Sequence, residues 1–179
     1  SGAHNEARKH GYDLLIANAD NDDILEDHYL RYFMGTQMSG VMVQPMTSPD
    51  WHPAMTKTPV PIVHLDIHCS EPGYYVAADN EAQGRIIAEL AIARGARHIT
   101  VVGRAAFMQL TLRVLGIHKA LALHPDIKIE VIDAGEWNTA ADGYSIGAQI
   151  AGRPADERPD FVVGLTDVLA SGVISALVD

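Results

Sequence analysis

Cysteine is nearly absent: Cys69 stands alone, so no disulfide closes within the chain, and the composition suits a reducing compartment. Basic residues are scarce as well. Against 23 Asp and Glu there are 13 Lys and Arg, a formal charge of -10 over 179 residues. Duplex DNA is held largely by cations that displace its counterions, so this segment by itself is excluded as a DNA-binding surface. No apolar run approaches the ~20 residues that span a bilayer. Ser1-Gly2-Ala3-His4-Asn5-Glu6 contains no signal-peptide core, which points to the cytoplasm. Neither a Gly-x-x-x-x-Gly-Lys-Ser/Thr loop nor a Gly-x-Gly-x-x-Gly fingerprint occurs, so no nucleotide cofactor is expected.

What is present is alternation. Ala3 to His10 reads as the end of a helix stopped by Gly11, and Tyr12 to Ala17 as a short apolar strand. Asp22 to Met34 carries a helical apolar stripe, and Gly40 to Val43 is a strand closed by Pro45. A short helix over Asp50 to Met55 and strands at Pro61 to Asp66 and Tyr74 to Ala78 follow. Asp79-Asn80 then opens a long helix, Glu81 to Arg94, ended by Gly95. Strands at His98 to Gly103, Lys128 to Asp133 and Phe161 to Leu165 alternate with helices at Gln109 to Leu123, Asn138 to Ala151 and Asp167 to Val178. Strands apolar on both faces, separated by helices, predict an α/β fold with parallel sheets covered on both sides. Starting inside a helix and ending on one, the chain reads as truncated at both ends.

Three constellations carry possible chemistry. Gly143-Tyr144-Ser145-Ile146-Gly147 matches the nucleophile elbow of α/β-hydrolases, which requires a strand running into a strained turn. Here the serine follows a helix start and lies within a helical apolar pattern, so it is read as part of an amphipathic helix, and no catalytic residue is assigned. His64, Asp66, His68 and Cys69 include good zinc ligands, and 64, 66 and 68 share a strand face. Cys69 points the other way and Glu71-Pro72-Gly73 turns the chain, so no metal site is assigned. The third set lies at the carboxyl ends of the strands, where open α/β sheets bind small ligands. It comprises Asp66, Asp79, Arg113, Trp137 and Thr166-Asp167. Each has a plainer role as a helix cap or surface charge, and their convergence on one edge sets them apart.

The order and spacing of Ala78-Asp79-Asn80-Glu81-Ala82-Gln83-Gly84, Arg94 to Gly103, Arg113-Val114-Leu115-Gly116-Ile117, Gly135-Glu136-Trp137 and Arg158 to Gly172 resemble the effector domain of LacI-type transcription regulators. Those regulators share their fold with periplasmic sugar-binding proteins. The likeness runs along essentially the whole chain. It implies a two-lobed periplasmic-binding-protein-like fold, with residues 1–78 in the first lobe and 79–179 in the second, and a small effector, a sugar or a purine, between them. It places Asp66, Arg113 and Trp137 at ligand-contact positions, Asp79 at the edge of the site, and Thr166 where many members have asparagine. It further implies a homodimer, with Trp51 and Met55 contributing, and operator DNA bound only through an N-terminal helix-turn-helix domain that this sequence lacks.

The residue types suit a polyol. A carboxylate accepts hydroxyl hydrogen bonds, a guanidinium donates two in a fixed fork, and an indole offers a flat apolar face. A purine would use the same face, so both effector classes stand. The expected function is the ligand-sensing core of a transcription regulator, with no enzymatic activity. A periplasmic solute-binding protein serving a sugar transporter is the alternative.

Overall fold

Gly11 closes the first helix with φ 77°, a left-handed conformation that glycine adopts freely. In the computed structural model, which describes residues 2–20, 22–45, 60–66, 74–104, 108–135 and 138–178, this helix is α1 (Gly2–Lys9). α2 (Asp23–Gly35) is capped by Asp22, whose carboxylate accepts from the backbone N–H groups of Ile24 and Leu25. Strands β1 (Val41–Val43), β2 (Ile62–Leu65) and β3 (Tyr74–Val76) pair in parallel in that order. Leu30 of α2 packs with Val41 and Val43 on one face of this sheet. His64, in register with Val43, is buried there with its ring stacked on Tyr75 at 5.2 Å, and burial pushes its pKa down. Met42, Tyr74 and Val76 share the other face and are exposed. Among the described residues this first sheet is therefore covered on one face rather than two.

One expected strand is absent. Tyr12 to Ala17 has no regular structure, and Ile16 is 76% exposed. A strand exists only through its ladder, and here a cavity of about 570 Å³, lined by Tyr12 to Leu15 and by Val41 and Met42, separates the run from the free edge of β1. The apolar composition is right, but the neighbouring backbone is out of reach. The helix expected over Asp50 to Met55 lies outside the described residues.

The second half follows the expected alternation closely. α3 (Asn80–Ala93), β4 (His98–Val102), α4 (Met108–Leu121), β5 (Lys128–Ile132), α5 (Ala140–Ala151), β6 (Phe161–Gly164) and α6 (Asp167–Val178) form a parallel sheet of order β5-β4-β6 flanked by helices. The central strand explains the doubly apolar pattern. Ile99 and Val101 pack with Ala88 and Ala91 of α3 and Ile117 and Leu121 of α4. Val102 points the other way, into Ile146 and Ile150 of α5 and Leu169 and Val173 of α6. Truncating a fully buried member such as Ile117 or Leu169 to alanine is expected to cost about 2–5 kcal/mol. The chain divides into two compact units, Ser1–Val76 and Ala77–Asp179.

Candidate functional site

The carboxyl end of the second sheet is assembled around Arg113. Its Nε donates to Asn80 Oδ1 at 2.9 Å and its Nη1 to the Leu165 carbonyl oxygen at 2.7 Å. The side chain thus reaches from α4 to the start of α3 and the end of β6, next to Asp79 on one side and Thr166 on the other. Asp79 Oδ1 accepts from Ala82 N at 2.9 Å and caps α3. Thr166 Oγ1 accepts from Leu169 N at 3.2 Å, fixing the first turn of α6. Both therefore do the capping work their residue types favour, while Asp79 is exposed and Thr166 partly so. A guanidinium has five N–H donors; two are bonded here, so three remain without a partner among the described residues.

The neighbouring loops are tied to each other. Asn138, buried and at φ 53°, accepts from Arg104 N at 2.7 Å, linking the segment after β5 to the one after β4. Asp133 accepts from Gly135 N at 2.9 Å, and Thr139 with Asp142 forms a capping box that opens α5. Hydrogen bonds from Thr139 hold the Asp142 carboxyl below its ordinary range. Trp137 lies outside the described residues. Asp66 belongs to the first unit, at the end of β2, with φ 56° and its N–H donating to Val76 O at 2.8 Å. A non-glycine residue in that conformation is uncommon and draws attention to the position.

The structure therefore sets Asp79, Arg113 and Thr166 along one edge of the second unit, and Asp66 at a strand end of the first. Sequence reasoning missed Asn80 and Asn138 as parts of this edge. Asn80 sits beside a better capping residue, and nothing in a sequence marks Asn138 as left-handed except that asparagine tolerates it.

The other two constellations have structural explanations or stand apart. Gly143 and Gly147 lie within α5 because a β-carbon on either would run into α6: 2.3 Å from Leu169 O and 2.9 Å from Val173 O. Ser145 faces outward between them, exposed and in mid-helix, without the strand and turn of an elbow. His68 and Cys69 lie outside the described residues, and the described residues hold no group of three possible metal ligands.

A parallel sheet with convergent polar side chains at its carboxyl edge defines a small-molecule-binding α/β protein. The chain belongs to the periplasmic binding protein domain family, whose pattern matches residues 1–179. A curated relative, the arabinose metabolism transcriptional repressor of Geobacillus stearothermophilus, is 24% identical over 185 residues, covering 94% of this chain and 49% of the repressor. The chain thus spans about half the length of the curated relatives it matches. Among solved structures, a LacI family transcriptional regulator from Lactobacillus casei with bound glucose superposes with TM-score 0.82 at 21% identity, over 98% of this chain and 67% of that one. A periplasmic solute-binding protein of an ABC transporter from Actinobacillus succinogenes, with bound D-allose, gives TM-score 0.85 at 24% identity, over 98% and 66%. At these identities the two structures share the fold. The LacI-type resemblance and the periplasmic-binding-protein-like fold read from the sequence both stand.

Proposed function

We propose that this chain is the effector-binding core of a sugar-responsive, LacI-type transcription regulator, with residues 1–78 and 79–179 as its lobes. The observation that carries the reading is Arg113, held by Asn80 and Leu165 at the carboxyl edge of a parallel sheet with three N–H donors uncommitted. A fixed guanidinium fork suits adjacent oxygen atoms, as in a sugar or a sugar phosphate. Asp79 and Thr166 supply acceptors on the same edge, Trp137 a stacking face, and Asp66 of the first unit a further acceptor; a purine would use the aromatic face instead. Effector binding favours one conformation of the protein over another. In a homodimer that shift changes the spacing of DNA-binding heads, which belong to the longer protein and act in the cytoplasm on operator DNA. No catalytic step is assigned to the site.

The solute-binding alternative has one observation in its favour, the close superposition on the D-allose protein. The repressor among the curated relatives favours the regulator. The two readings part in the longer gene and in DNA binding. The full-length protein is expected to retard its own promoter fragment in a gel shift, with the retardation altered by L-arabinose, D-allose, D-glucose or a purine base. A signal peptide upstream, with no DNA retained under any of these additions, would establish the transporter reading instead.

A further inference from the structure

Asn80 is only 2% exposed, and both ends of its amide are used. Nδ2 donates to Ala78 O at 3.1 Å and Oδ1 accepts from Arg113 Nε at 2.9 Å. It is not needed as a cap, because Asp79 already fills that role. Its one side-chain partner on another element is Arg113. The fold makes the meeting possible: one turn along α3, Gly84 lies against the Arg113 carbonyl, so the helices touch backbone to backbone just where this pair forms.

We infer that Asn80 is the positioning residue for Arg113. By taking Nε, while Leu165 O takes Nη1, it fixes the guanidinium plane and leaves Nη2 as the leading donor toward oxygen atoms of a ligand. Asn80 does not itself touch the ligand. A long, flexible side chain loses rotamer freedom on binding, and holding it in place beforehand removes that loss from the binding equilibrium. The inference rests on the reading of Arg113 as a ligand-contact residue.

Two measurements test it. The first needs no ligand: in ¹⁵N-arginine-labelled protein, the Arg113 Nε–H is expected to exchange slowly with water, to exchange rapidly in Asn80→Ala, and to regain protection in Asn80→Asp, which keeps the acceptor. Rapid exchange in the unmodified protein overturns the inference even if no variant folds. The second is a binding cycle by calorimetry with L-arabinose, D-allose and D-glucose as probes. Asn80→Ala is expected to weaken binding roughly tenfold, since the bond it removes is to a charged group. That loss should disappear in an Arg113→Ala background, because a residue acting through Arg113 has nothing left to position. Additive losses, or full affinity in Asn80→Ala, contradict the positioning role while leaving Arg113 as a contact. Full affinity in Arg113→Ala, or no binding of any probe by the unmodified protein, contradicts the ligand-site reading itself and the inference with it.

Discussion

Gly84 on α3 lies so close to Arg113 on α4 that a β-carbon at position 84 would fall 1.9 Å from the Arg113 carbonyl oxygen. The contact is returned one turn further along, where a β-carbon on Gly116 would meet Glu81 O at 2.1 Å. The same reciprocal arrangement joins α5 to α6 on the other face of the sheet. There Gly143 faces Leu169 O and Gly172 faces Ala140 O, at 2.3 and 2.1 Å for the added carbon. Both helix pairs cross at backbone contact, and the first crossing brings Arg113 to Asn80.

Adding that carbon should be costly. Gly84→Ala is expected to destabilise the protein by about 1–3 kcal/mol or more in urea denaturation, since neither backbone has a side chain to move aside. Gly152, whose added carbon would find nothing nearer than 3.5 Å at an ordinary helical φ of -76°, serves as the control. Gly152→Ala should leave stability unchanged or raise it by about 0.4–1 kcal/mol. Equal effects at the two positions would contradict the close crossing.

Glu130 and Arg153 give a prediction in pH. Arg153 donates to both Glu130 oxygens, at 2.8 and 3.0 Å, and Thr100 adds a third bond at 3.1 Å. The Arg153 hydrogen bonds hold the Glu130 carboxyl below its ordinary value, against the opposing effect of burial. A carboxylate with a depressed folded pKa contributes stability above its unfolded pKa and loses it as pH falls through the folded one. Arg153→Met should therefore be less stable than the parent at neutral pH, with the gap closing as pH falls through and below the carboxylate range. Asp142 and Asp160, also held low by hydrogen bonds, are present in both proteins and cancel in the comparison. A gap that stays constant with pH would show that the pair contributes through packing rather than charge.

The second unit was legible in the sequence because its signals agree. Ile99, Val101 and Val102 read as doubly apolar, and the structure gives each face of β4 a pair of helices. Asp79, Gly95 and Thr139 stand where caps are needed. Tyr12 to Ala17 misled for the converse reason: apolar composition reports a tendency to pair, while pairing depends on a neighbour supplied elsewhere. At the site, residue type identified Arg113 and Asp79, whereas Asn80 was hidden, since its role lies in a bond 33 positions away along the chain.

Ser145 tests the reading of its glycine-flanked motif. Exposed in the middle of α5, it should tolerate Ser145→Ala with stability kept within about 0.5 kcal/mol. A fluorophosphonate probe is expected to leave it unlabelled. Labelling that disappears in Ser145→Ala would establish a nucleophile and contradict the helix-packing explanation of Gly143 and Gly147.

The charge of -10 predicts behaviour toward nucleic acid. At physiological salt this segment alone is expected to leave duplex DNA unshifted in a gel, its acidic surface offering no net counterion release. Salt-sensitive, site-specific retardation by this segment alone would contradict that.

The most direct test of effector binding at the edge of the second unit is calorimetric titration of the protein with L-arabinose, D-allose and D-glucose, compared with Arg113→Lys. Lysine keeps the charge but replaces the guanidinium fork, with its bonds to Asn80 and Leu165, by a single ammonium. Saturable binding of at least one sugar is expected, weakened roughly tenfold to a hundredfold by the substitution, as the loss of hydrogen bonds to a charged group implies. Equal affinity in the two proteins, or no binding of any of the three sugars, would contradict it.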